Sequence, residues 1–221
     1  MGDDLVRREQ ELLLDGMQEE EEEDIDQQYE QWIEEQDKKE YEAKKEAIEK
    51  YEARGVKEQE LLENASQFFI AGQLCRMGYS AVVTLGNTPN TDILCSNVEG
   101  TKFVHIQVKT YVPGIKICSV GRKAQKNYDG ENFFWILGGI PQWASDVPFE
   151  YYIIPSAVMA ENVTAYQERW LATPWKDGRE HKDSAVRIVT LPPFKAEYAW
   201  SIEGYKDRWD LIEEKLGAGH Q

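Results

Sequence analysis

The stretch Thr91-Asp92-Ile93-Leu94-Cys95, followed after a turn by His105-Ile106-Gln107-Val108-Lys109-Thr110, decides the fold of this 221-residue chain. The two segments read as neighbouring strands, Thr91 to Ser96 and Lys102 to Tyr111, joined by the turn Asn97 to Gly100. Side chains alternate across a strand, so residues i and i+2 share a face. Phe103, His105, Gln107, Lys109 and Tyr111 therefore point one way. Val104, Ile106, Val108 and Thr110 point the other. One face is apolar enough to pack on a helix. The opposite face collects polar groups of the kind that hold a metal and act on a phosphate.

Charge is distributed unevenly around this centre. Residues 1–63 carry 24 acids and 9 Lys/Arg, whereas residues 64–221 carry 17 acids and 16 Lys/Arg. The net charge of −16 thus belongs almost wholly to the N-terminal quarter. The remainder is near neutral, so contact with nucleic acid must come from a local basic patch. Cys75, Cys95 and Cys118 are scattered, with no CxxC or Cys/His pairing, which argues against structural zinc. An odd cysteine count fits a reducing cytoplasm. The acidic N-terminus lacks the basic-then-apolar pattern of a secretory signal. No apolar run approaches the roughly 20 residues of a membrane span.

Residues 1–56 read as an acidic helical arm, partly disordered or coiled-coil-like, and residues 57–221 as the folded domain. The arm lacks proline and is rich in Glu, Gln, Lys and Ala, which favour helix. Ile25, Tyr29, Trp32, Ile33, Tyr41, Ile48 and Tyr51 form a thin apolar stripe without clean heptads. The acidic run Glu19 to Asp24 repels itself at i, i+4 spacing. Such an arm suits three roles. It is a solvated extension, a regulatory element imitating a phosphate backbone, or a helix for homodimerisation or partner binding through Trp32 and its neighbours.

Beyond Gly55, residues 58–77 predict a helix with a broad apolar face that includes Leu61, Phe68, Phe69 and Leu74. Gly78 is its C-cap. Ala81 to Leu85 reads as the first strand, and Gly86 to Asn90 as the turn before Thr91. Ile115 to Val120 reads as a further strand, and Gly121 to Tyr128 as a short basic helix or loop. Glu131 to Ile140 suits a buried strand, and Phe149 to Ile154 another. Ser156 is read as N-cap of a helix over 157–171. Ala185 to Leu191 reads as a strand and Tyr205 to Leu216 as a closing helix. Trp135 and Trp143 are expected in the core. The order implies an α/β fold with a sheet of mixed direction.

This order, with Asp92 on the second strand and Gln107-x-Lys109 on the third, resembles the PD-(D/E)XK nuclease superfamily, the restriction-endonuclease-like fold, over roughly residues 58–140. That resemblance implies a mixed central sheet flanked by helices. Asp92 matches the first acid and Lys109 the lysine. Gln107 stands where most members have Asp or Glu, as in some branches of the superfamily. Pro89 precedes Asp92 by three residues instead of one. The resemblance further implies an acid on the first helix, for which Glu63 and Gln67 are both open. Gln67 fits the place somewhat better, and Glu63 would supply charge.

The resemblance implies a Mg²⁺-dependent nuclease acting on DNA, with Mn²⁺ able to substitute. Asp92, Gln107 and the Val108 carbonyl would hold the metal. Mg²⁺ takes oxygen ligands and needs only one or two protein carboxylates. Lys109 would stabilise the attacking water or the transition state. An amide at position 107 removes one negative charge, which weakens metal binding and makes it dependent on substrate phosphate. The alternative is a catalytically degenerate protein of this fold that binds DNA or a protein partner, with the arm as interaction element. His105 shares the face as a supporting residue. Arg122, Lys123 and Lys126 form the densest basic cluster outside the arm and are expected to contact phosphates.

Overall fold

The computed structural model describes residues 56–84, 88–128, 130–143, 145–175 and 178–217. The chain divides into two units, 1–46 and 47–221, and all described residues lie in the second. The arm expected over residues 1–56 falls outside them except at Val56.

Helix α1 (Val56–Arg76) opens the domain. It ends as its sequence predicts: Gly78 adopts φ 90°, a left-handed conformation that glycine takes without steric penalty. The Gly78 N–H donates to Cys75 O at 3.0 Å and the Tyr79 N–H to Leu74 O at 3.1 Å. Tyr79 and Leu74 both enter the core, which completes a Schellman end. The buried stripe of α1 is narrower than its composition suggested. Ser66, Ile70, Ala71 and Leu74 are buried, whereas Leu61, Phe68 and Phe69 are exposed.

Strands β1 (Ser80–Val83), β2 (Ile93–Ser96) and β3 (Phe103–Tyr111) form an antiparallel meander. Then come β4 (Ile117–Ser119) and a single basic 3-10 turn, Arg122–Gln125. This crossover returns the chain to β5 (Phe133–Gly139), which lies parallel to β3. Strand β6 (Glu150–Pro155) pairs antiparallel with β5 and leads into α2 (Ser156–Ala172). Strand β7 (Ile188–Thr190) pairs with β4 in a separate two-stranded sheet. Helix α3 (Asp210–Leu216) closes the domain. The main sheet runs β1-β2-β3-β5-β6. It is a mostly antiparallel sheet flanked by helices.

Two apolar layers follow from alternation along the strands. Val104, Ile106, Val108, Phe134 and Ile136 meet α1 and α3 through Ile70, Leu74, Ile212 and Leu216. Tyr111, Phe133, Trp135 and Leu137 face the other way, toward Met159 and Val163 of α2 and Ala124 of the basic turn. Gln107 and Lys109 belong by alternation to this second face. All seven residues of β5 are buried. Gly138 and Gly139 end that strand because each lies under a close neighbour on opposite faces. A Cβ at Gly138 would meet Ser66 Oγ at 2.5 Å, and one at Gly139 would meet the Tyr111 ring at 2.7 Å.

Several expectations are corrected. Ser156 is not an N-cap; Pro155 holds that position, and the Ser156 Oγ instead accepts the Tyr128 N–H at 2.8 Å. The closing helix does not begin at Tyr205. A 3-10 turn spans Glu203–Tyr205, and Asp207 at φ 51° interrupts the path before α3. The strand expected from Ala185 starts at Ile188. Trp135 is 1% exposed, but Trp143 is 99% exposed and not in the core. Among the described residues no helix is long and apolar enough to cross a membrane.

Candidate active site

The turn between β2 and β3 builds the site by setting register. Asn97 Oδ1 accepts the N–H groups of Thr101 at 2.9 Å and Lys102 at 3.0 Å, and Gly100 takes φ 66°. That turn places Ser96 opposite Phe103 and Ile93 opposite Ile106. One step further along the same register, Asp92 falls opposite Gln107. A one-residue slip would turn every side chain to the other face, so the Asn97 turn is what brings these two together.

Asp92 is held from both sides. Its N–H donates to Ile106 O at 2.9 Å, and its carbonyl accepts the Thr84 N–H at 2.8 Å. The Thr84 hydroxyl donates to the adjacent Thr91 carbonyl at 2.5 Å. Thr91 Oγ1 lies 3.2 Å from His105 Nδ1, which gives His105 a supporting contact. Asp92 Oδ2 accepts the Val108 N–H at 2.7 Å and a short hydrogen bond from Gln107 Nε2. Asp92 Oδ1 and Gln107 Oε1 accept no hydrogen bond from the described residues and remain available as oxygen donors.

Burial pushes the Asp92 carboxyl above its ordinary value of 3.8. The Val108 N–H, the Lys109 and Lys123 cations and the Gln107 amide all pull the other way, without cancelling it. Gln107 is buried and aligns with Trp135 on β5. The indole N–H of Trp135 is buried and has no hydrogen-bond partner among the described residues. Lys109 is half-buried and makes no ion pair among the described residues. Its cation acts on Asp92 and on the buried Cys118 thiol, whose value burial pushes up to about 12.

The structure thus joins Asp92, Gln107 and the Val108 backbone, with Lys109 beside them. Helix α1 packs on the Val104–Ile106–Val108 face, and neither Glu63 nor Gln67 hydrogen-bonds to Asp92, Gln107 or Lys109. Of the basic cluster, Lys123 acts on Asp92. Arg122 is already committed, donating to Ser184 O at 2.9 Å and pairing with Asp183 at 2.8 Å. Lys126 lies 5.1 Å from the Tyr128 ring centroid. Thr84, Thr91 and Trp135 were not singled out from sequence as site neighbours. Counting register outward from the Asn97 turn would have found Thr91, but nothing local marks Trp135 as aligned with Gln107.

In kind, the donor set suits a hard divalent cation. Asp92 Oδ1, Gln107 Oε1 and the Val108 carbonyl are all oxygens, as Mg²⁺ prefers. Among the described residues no three His, Cys, Asp or Glu gather in a metal-sized cluster.

No protein-family model matches the chain, and no curated protein matches it. Among solved structures, it is similar to a bacterial homing endonuclease, I-Ssp6803I, with 18% identity and a TM-score of 0.42 over 72% of this chain and 94% of that one.

Proposed function

We propose that this chain is a metal-dependent nuclease of PD-(D/E)XK type, with a restriction-endonuclease-like fold, that hydrolyses DNA phosphodiester bonds. The observation that carries this reading is the junction of Asp92 with Gln107 and Val108 across adjoining strands, with the Lys109 cation beside it. Hydrolysis needs an activated water, neutralisation of developing charge and help for the leaving oxygen. A divalent cation, when bound, would lower the pKa of its water and polarise the phosphate. Asp92 would supply the carboxylate for it, and Gln107 and the Val108 carbonyl would supply neutral oxygens. Gln107 also orients Asp92 by donating to Oδ2, which leaves Oδ1 without a hydrogen bond from the described residues. Lys109 holds the attacking water or the pentavalent phosphate by charge.

With one carboxylate at the site, the substrate's own phosphate contributes the remaining negative charge. Free protein therefore binds Mg²⁺ weakly, and metal and DNA bind together. Cleavage of linear, nicked, branched and single-stranded DNA in Mg²⁺ or Mn²⁺ tests the reading. Lys109→Ala lowers the rate about a hundredfold to a thousandfold, the range for loss of one transition-state charge partner. Undiminished cleavage by Lys109→Ala would remove the lysine from the chemistry. The neutral amide of Gln107, where most members of that superfamily carry an acid, favours one second reading, a DNA-binding protein that has lost catalysis. It predicts DNA binding without cleavage in either metal.

A further inference from the structure

One side chain outside the site is buried and engaged through all three of its nitrogens. Arg187 is 5% exposed. Its Nε donates to Gln125 Oε1 at 2.6 Å, its Nη1 to Ser184 O and Val186 O at 2.8 Å each, and its Nη2 lies 3.0 Å from Asp183 Oδ1. Its main chain works in the same direction. The Arg187 carbonyl accepts the N–H of Val120 at 2.8 Å and of Gly121 at 3.4 Å. Gly121 takes φ 71°, a left-handed conformation, as the chain swings into the basic turn.

These contacts close on the turn Arg122–Gln125 from both ends. Gln125 is gripped by the Arg187 side chain, the entry at Val120 and Gly121 by its carbonyl, and Arg122 by Asp183, which Arg187 also pairs. Asp183 is tied in turn to α2, where Gln167 Nε2 donates to it at 3.1 Å. Nearby, the His181 ring is stacked on Trp170 of α2 at 3.8 Å and lies tilted against Trp175 at 4.4 Å, which anchors the same loop. Ala124 is fully buried against the sheet face that carries Gln107 and Lys109. Of the turn's two basic residues, Arg122 is tethered, and Lys123 is exposed and acts on Asp92.

We infer that Arg187 is a positioning residue that locks the basic turn over the site so that Lys123 contacts a DNA phosphate next to the one held at Asp92 and Lys109. This inference rests on the nuclease reading and adds to it a second phosphate site and the buried arginine that builds it. A lysine on a mobile turn would lose side-chain and backbone freedom on meeting a phosphate, whereas a turn fixed beforehand loses less.

The test is the salt dependence of binding of a fluorescein-labelled DNA duplex to the full chain, read by anisotropy. Lys123→Ala lowers the slope of log K against log salt by about one, as loss of one phosphate contact requires. Arg187→Lys, which keeps the charge but cannot make the fork of hydrogen bonds, lowers it by the same amount. So does Gln125→Ala, which serves if Arg187→Lys does not fold. Lys123→Ala combined with either lowers it no further, because both act through one contact. A purely structural arginine would leave the slope of a folded variant unchanged. An unchanged slope in Gln125→Ala, or additive losses in the double variant, overturns the inference alone. A wild-type chain that binds no DNA overturns the nuclease reading along with it.

Discussion

At the scale of single residues, the site is a place where stability and chemistry pull apart. Asp92 is partly buried among two strands, and burial holds its carboxyl above the ordinary value of 3.8. The folded chain therefore binds this proton more tightly than the unfolded chain. The contribution of Asp92 to stability is fully present below the ordinary value and is lost as pH rises through the raised one. Asp92→Asn carries no such charge, so it melts above wild type at neutral pH, and the difference closes as pH falls into the carboxylate range. Thermal melts across that range check it, and a neutral-pH melting temperature below wild type would overturn it. Gln107→Glu runs the other way. It replaces the amide that donates to Asp92 with a second carboxylate at hydrogen-bond distance, and like charges so close disfavour each other. Without metal the variant melts below wild type. With Mg²⁺ it gains more, and calorimetry reads an affinity higher by about tenfold, the equivalent of about 1.4 kcal/mol. The Asp92–Gln107 pair was legible in sequence because period-two alternation and a short turn leave few registers. The Thr84 and Trp135 neighbours were not, because their proximity comes from β1 and β5, which meet the site only through sheet order.

At the scale of elements, periodicity found α1, the meander and β5, since each carries a strong local pattern. It failed where tertiary contact decides. Ser156 looks like a cap by type, yet the Tyr128 N–H claims its hydroxyl from 28 residues away. The run from Tyr205 looks helical, yet Asp207 at φ 51° breaks it. The glycine pair of β5 reads as a weakness in a buried strand. Its reason appears only when Ser66 and Tyr111 are seen against it. Tyr111 is buried, and its hydroxyl donates to Glu150 at 3.0 Å. A rigid, tethered ring cannot yield to a new methyl group. Gly139→Ala therefore destabilises by about 1–3 kcal/mol, the range for overpacking a filled core. Denaturant titration measures this as a lower midpoint with unchanged slope. Because β3 and β5 are paired through Tyr111 and Gly139, the same variant should also disturb the Lys109 end of the strand and weaken DNA binding.

At the scale of the whole molecule, the distribution of charge sets the terms on which a polyanion is met. Residues 1–55 carry 21 acids and 8 Lys/Arg, so the remaining residues 56–221 keep a net charge of only −3 out of −16. The basic groups at the site, Lys109 on β3 and Lys123 on the basic turn, are few. A strongly acidic segment in the same chain opposes the approach of DNA over distances up to the Debye length, about 10 Å at 0.1 M salt and about 3 Å at 1 M. A chain beginning at Val56 should thus bind a DNA duplex more tightly than the full chain at low salt, mainly through faster association. The advantage should shrink as salt is raised. Stopped-flow binding across a salt series measures both effects. If the N-terminal residues also cover the site as a phosphate mimic, cleavage at saturating DNA rises on their removal as well. Electrostatic repulsion alone changes affinity and leaves the saturated rate where it was. Equal affinities for the two chains at low salt would show that the acidic segment does not reach the proposed DNA-facing surface, and would leave a solvated extension, or dimerisation or partner binding through Trp32 and its neighbours, as its role.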